Sequence, residues 1–160
     1  MKAEPESRIV KGKDVKFSID DLRQMESGTS PWDGVRNYEA RNLMRDKMRI
    51  GDKVLFYHSN CNTPGIAGTA TISKEAYPDY TAFDPTHPYY DPKSNKGSPR
   101  WFMVDVEFQS KFKEIIPLAR LKKLEELKNM ALINRGRLSV QPVRQSEYEF
   151  ILSIAEPHDK

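Results

Sequence analysis

The residues most able to do chemistry gather in one run, Trp32-Asp33-Gly34-Val35-Arg36-Asn37-Tyr38-Glu39-Ala40-Arg41-Asn42. Trp32 offers a large π-face. Asn37 both donates and accepts, which suits a base edge, and Arg36 and Arg41 suit a phosphate or a stacked ring. Together such groups grip a flat, polar, anionic ligand. Asp33-Gly34 reads as a turn, because glycine tolerates positive φ and aspartate bonds its own backbone. Ala40, Leu43, Met44 and Met48 then recur at helical spacing. They predict a helix ending near Arg49, with Asn37, Arg41 and Arg45 along one face. A plainer reading stands beside this one: a Trp plug at a turn, then an amphipathic helix whose arginines are solvated.

An unstacked nucleobase needs π-walls for its faces and a few fixed donors and acceptors for its edge. Candidates for such a pocket are Trp32, Asn37, and His58 and Ser59 at a strand end. Tyr77, Tyr89 and Tyr90 join them from segment 76–100, which is aperiodic and rich in proline and tyrosine. A loop this long in a small domain is usually a binding loop, and its aromatic content argues for an ordered flap. Candidates for backbone phosphates are Lys2, Arg36, Arg41, Arg45, Lys93 and Arg100. Each basic residue taken singly also reads as a solvated charge, and His58 as a satisfied half-buried histidine. Trp101 heads an alternating strand and reads as a core aromatic.

Catalytic patterns are weaker. His58, Cys61, His87 and His158 show no paired metal-ligand spacing, so neither a metal nor a cofactor is expected. Cys61 and His58 are close in sequence but lack a nucleophile-elbow pattern. Gly65-Ile66-Ala67-Gly68 enters a strand, so it is no phosphate loop. The net charge of +3 confines any nucleic-acid contact to a local patch. A single cysteine fits a reducing compartment. No apolar run approaches the ~18 residues of a membrane span, and no signal peptide is visible.

At 160 residues the length fits one domain, 1–155, with a disordered tail at 156–160. A short first strand, a capped helix over 19–25, and a hairpin of 53–59 with 66–73 are expected. So are a strand 101–108 paired with 111–116, and a helix after Pro117 that buries Leu118, Leu121, Leu124 and Leu127. Two short strands, 130–133 and 138–143, and a last helix capped by Ser146 and Glu149 complete the chain. The elements are interspersed without a βαβ repeat, which points to α+β: a small mixed sheet, closed or nearly closed, with helices packed on its openings.

Five ordered pieces carry a family resemblance. They are the central run, Met1-Lys2-Ala3-Glu4-Pro5, Phe56-Tyr57-His58-Ser59-Asn60, Lys74-Glu75-Ala76-Tyr77-Pro78-Asp79 and Arg137-Leu138-Ser139-Val140-Gln141-Pro142-Val143. In this order they resemble the EVE domain, which is similar to the YTH and ASCH domains of the PUA-like superfold. The resemblance implies a PUA-like mixed β-barrel and a non-enzymatic, monomeric module. Such a module reads a modified nucleobase, a modified cytosine in DNA or a modified base in RNA, flipped into an aromatic pocket. It puts Trp32 and Asn37 where the superfamily has cage and edge-reading residues. Loop 6–16 resembles the eukaryotic members, which implies the nucleus; a bacterial member would be cytoplasmic. Ala3 departs from the family, which usually has serine there, so a hydroxyl near the ligand is missing. Two other classes remain open from the residues: a nucleic-acid-processing enzyme using His58 and Cys61, or a small-molecule or protein-interaction module.

Overall fold

Two long strands organise the molecule, and their β-branched and aromatic content suits a half-buried pleated surface. The computed structural model describes residues 1–156. The first half contains β1 (Lys2–Ala3), a hairpin of β2 (Ile9–Val10) and β3 (Lys13–Asp14), α1 (Ile19–Gln24), β4 (Thr29–Pro31) and α2 (Tyr38–Asn42). Next come β5 (Lys53–His58), β6 (Gly65–Pro78) and β7 (Phe102–Pro117), then α3 (Leu118–Leu121), α4 (Ala131–Asn134) and α5 (Gln145–Ile154). The main sheet has five strands in the order β1-β5-β6-β7-β4. Its β1–β5 pair is parallel and the other neighbours are antiparallel. The chain is therefore α+β, as expected.

The sheet does not close into a barrel: β1 and β4 are its two edges. With two and three residues respectively, these edge strands are too short to zip together. Curvature comes instead from register shifts along the β6–β7 ladder, because each bulge adds local twist. The expected hairpin of 101–108 with 111–116 is replaced by the single 16-residue strand β7. Gln109-Ser110-Lys111 supplies no Gly, Asn or Asp for a tight hairpin turn. β6 partners β7 from Gly65 opposite Pro117 to Pro78 opposite Phe102. Gly68 permits this approach, since a side chain there would strike the Ser110 carbonyl.

The C-terminal third also departs from the sequence expectation. Segment 130–133 falls on α4 and its N-cap, not on a strand. Segment 138–143 is irregular and meets β1 through a bond from Lys2 N to Ser139 O, 3.0 Å. The helix after Pro117 stops at Leu121, yet Leu121 and Leu127 are fully buried, with Leu118 and Leu124 packed beside them. α5 begins a residue before Ser146, and Glu147 receives the cap bond from Arg144 N at 2.9 Å. From residue 157 onward the expected tail lies outside the described residues.

Side chains of α1, α2 and the sheet form one apolar cluster. At its centre, the fully buried Phe56 meets the rings of Phe17 at 6.1 Å, Trp32 at 5.5 Å and His58 at 5.7 Å. Phe56→Ala should cost about 3–5 kcal/mol through lost contact and a cavity, read as a lower denaturant midpoint with unchanged slope.

Candidate functional site

The central run does not enter a helix until Tyr38. Residues 32–36 instead form an irregular loop, tied down at several points. Trp32 N donates to Val104 O at 2.7 Å, extending the β4 edge. Gly34, at φ +79°, donates its N–H to Asp79 Oδ2 at 2.9 Å. Arg36 Nη1 reaches the same oxygen at 2.9 Å, and its Nη2 and Nε reach Tyr89 O at 2.6 and 3.2 Å. Asp79 is fully buried, and its other oxygen accepts from Thr81 N at 2.9 Å and Thr81 Oγ1 at 2.5 Å. A buried carboxylate needs this many donors, since an unpaired one is costly. Segment 79–91 is thereby clamped to loop 32–36. Trp101 adds a bond from its indole N–H to Asp91 Oδ2 at 2.6 Å.

A cleft of about 350 Å³ opens between this clamp, β1, and the chain leaving β3. That volume lies in the range of small-ligand sites, roughly 300–1,000 Å³. Trp32, Phe17 and Tyr89 supply its aromatic walls. Tyr89 lies flat against Gly34, where a Cβ would come within 2.5 Å of the ring. Trp32 is 7% exposed and meets Phe17 and Phe56 edge-on, so it is a core residue that shows only part of itself to the cleft. Lys2, Lys13 and Lys16 bring positive charge, and Glu4, Asp14 and Asp33 negative charge. Burial pushes the Asp33 carboxyl above its ordinary value, with the Asp79 charge adding to the effect. His87 opposes it weakly, its Nε2 lying 3.8 Å from Asp33 Oδ2. A second, more apolar groove of about 580 Å³ runs past Leu43, Met48, Val54 and Val140. It carries one aromatic ring, Tyr148, and so does not offer paired walls.

Of the residues singled out from sequence, the cleft gathers Lys2, Trp32, Arg36 and Tyr89. The others lie elsewhere, several with their polar atoms engaged within the fold. Asn37 is the N-cap of α2, and its Oδ1 accepts from Ala40 N at 3.0 Å. His58 is buried, and its Nε2 accepts from Ile19 N at 3.1 Å. Ser59 bonds Ala3 O at 3.3 Å. Tyr77 donates to Asp105 Oδ1 at 2.5 Å; burial and that carboxylate push its phenol well up. Tyr90 lies beside Lys11, whose Nζ is 5.5 Å from its ring. Arg41 lies 4.7 Å from the Tyr38 ring and bonds Arg100 O at 2.9 Å, while Arg45 pairs with Asp46 at 2.8 Å. Lys93 is exposed, and Arg100 is part-buried with its N–H donated to Ser94.

Sequence reasoning missed Lys13, Lys16, Phe17, Asp33, His87 and Ser139 as cleft residues. Asp33 does lie inside the central run, where Asp-Gly reads as a turn. Ala3 does line the cleft, so the hydroxyl missing relative to the family is missing at this site. Cys61 does not: burial pushes its thiol up, away from a reactive thiolate. His158 lies outside the described residues.

A small α+β domain whose cleft is lined by aromatic rings and by charges of both signs has the build of a small-ligand-binding module. The chain belongs to the EVE domain family, which matches residues 1–154. Human thymocyte nuclear protein 1 is 53% identical, over 98% of this chain and 72% of its own length. The crystal structure of human THYN1 protein in complex with 5-methylcytosine containing DNA superposes with a TM-score of 0.93 at 53% identity. It covers 96% of this chain and 94% of that one. A protein from Pseudomonas syringae follows at TM-score 0.86 and 42% identity, covering 96% of each chain.

Asp79→Ala should destabilise the fold by about 3–5 kcal/mol, since it strands the Arg36 guanidinium and the Gly34 N–H. Hydrogen exchange across 80–91 should rise first. His58 generates a pH effect. Burial, the largest influence, holds it below its ordinary value of 6.5, Lys111 assisting and Asp20 and Asp21 opposing. The unfolded chain therefore takes up this proton more readily than the folded one. The neutral site is fully compatible with folding above pH 6.5, and stability falls as pH drops through that value toward the folded pKa. His58→Gln should flatten that part of the stability–pH curve in urea titrations above and below pH 6.5.

Proposed function

We propose that this chain is a non-enzymatic reader of a modified cytosine in DNA, working as a single-domain monomer in the nucleus. The base, turned out of the duplex, enters the cleft against Tyr89, Phe17 and the open part of Trp32. The observation that carries this reading is that aromatic walls and three lysines meet in one cleft, beside the acids Glu4, Asp14 and Asp33. Its support from relatives is the human THYN1 protein, 53% identical, whose crystal structure is with 5-methylcytosine containing DNA. The nuclear assignment leans on the name of the human relative, thymocyte nuclear protein 1. Among the described residues no helix is long and apolar enough to cross a membrane. An RNA base offers similar faces, and the human complex favours DNA.

In this reading stacking holds the base and lysines hold the strand. Stacking is tolerant of base identity because every base has a π-face. Lys13 and Lys16 flank the mouth from the β2–β3 hairpin side, and Lys2 from β1. Lys16 is shared with Asp21 at 2.7 Å, and Lys2 with Gly136 O at 2.5 Å, which leaves Lys13 the more available charge. Arg36 acts indirectly, since its guanidinium holds the Tyr89 backbone.

Fluorescence anisotropy on matched duplexes, with and without one 5-methylcytosine, tests the reading over a salt series. The methylated duplex should bind more tightly; equal affinity for the two overturns the proposal. Tyr89→Ala should weaken binding by roughly 1–3 kcal/mol while the protein stays folded. Lys13→Gln should weaken both duplexes alike and lower the salt slope by about one unit.

A further inference from the structure

Asp33 differs from every other acid around the cleft. Glu4 is held by Arg8 at 3.0 Å and by Asn60 at 2.6 Å. Asp14 accepts from Ser7 Oγ, Arg8 N and Lys16 N. Asp79, behind the wall, is saturated by Gly34, Arg36 and Thr81. No other side chain donates a hydrogen bond to Asp33 among the described residues, and the nearest His87 nitrogen, Nε2, stands 3.8 Å away. Its side chain is 35% exposed, and it lines the cleft between Trp32 and Gly34. An ionised carboxylate is an acceptor only, so a ligand that brings a donor relieves it and one that brings an acceptor repels it.

We propose that the Asp33 carboxylate determines which pyrimidine the cleft holds, by accepting a hydrogen bond from the exocyclic amino group of cytosine and rejecting the carbonyl that thymine carries at the same position. The inference rests on the reading of the cleft as a base pocket and deepens it. 5-Methylcytosine and thymine share the ring and the methyl group, so aromatic walls and an apolar methyl contact cannot separate them. They differ at the fourth ring position, amino in one and carbonyl in the other, and at the neighbouring ring nitrogen. A fixed acceptor beside the walls is the group that can tell them apart. The Trp32 N–H bond on one side and the Gly34 N–H bond on the other fix the backbone of Asp33, so the carboxylate is aimed before a ligand arrives. The raised affinity of this carboxyl for a proton fits an anion partly removed from water and beside the Asp79 charge, effects that its own backbone N–H and the nearby His87 and Arg36 only partly offset.

The test uses the full chain and duplexes with 5-methylcytosine or thymine opposite an abasic site, so that neither base must break a pair to enter. Wild type should prefer 5-methylcytosine by about tenfold or more, the usual scale for one well-made polar contact to a base. Asp33→Asn keeps the shape but presents both an acceptor and a donor, so it should bring the ratio close to one while 5-methylcytosine still binds. A third duplex carries 5-methyl-2-pyrimidinone, which lacks the amino group, and examines the unmodified protein. It should bind wild type more weakly than 5-methylcytosine, since it has no donor for Asp33, but no more weakly than thymine, since it lacks the repelled carbonyl. If Asp33→Asn retains the wild-type ratio, or if wild type binds the pyrimidinone as tightly as 5-methylcytosine, Asp33 does not read the amino edge. Should wild type bind all three bases no better than an abasic control, the base-pocket reading itself fails, and this inference with it.

Discussion

The ion pair between Arg36 and the fully buried Asp79 is the contact on which the rest of the site depends. One carboxylate collects the Gly34 N–H, the Arg36 guanidinium and the Thr81 backbone and hydroxyl. Through those bonds, a loop that follows an edge strand and a segment between two long strands become one wall. Neither piece has regular structure enough to hold its own shape, and both are rigid because their polar groups are satisfied by each other. Tyr89 then lies against Gly34, in space that a Cβ on residue 34 would occupy.

Charge is spent sparingly. Several cations are committed to acids: Arg36 to Asp79 and Arg45 to Asp46, both singled out from sequence, and Lys16 to Asp21. That is compatible with a chain of net charge +3 that nonetheless concentrates lysines around one cleft. Around the cleft the lysines stand with three carboxylates, Glu4, Asp14 and Asp33, so its charge is mixed rather than uniformly basic.

Much of the architecture was legible in the sequence, and the failures have physical causes. The Ser18–Asp21 capping box, the β5–β6 hairpin and the burial of Trp101 follow from local patterns. The length of β7 does not: its continuity depends on a partner strand far away in sequence, which local alternation cannot see. Segment 130–133 looked like a strand because a short apolar run fits either element equally well. For the candidate cleft, the central run supplies Trp32 through Arg36 but not Asn37. Asn37 and His58 have the chemistry of ligand readers, yet a backbone N–H in each case claims the polar atom. Lys13, Phe17 and Ser139 carry no motif that sets them apart and reach the cleft only through tertiary folding.

The long β6–β7 ladder has a consequence for how the molecule comes into being. Its register from Pro78 opposite Phe102 outward can form only after the segment between those residues has been looped back on itself. Entropy charges for that closure before any pairing rewards it, and topologies dominated by such distant pairings acquire their structure slowly, in milliseconds to seconds. The segment being looped is the one that carries Asp79, His87 and Tyr89. Completion of the wall therefore waits on this closure, and a chain whose helices have already formed still has no pocket.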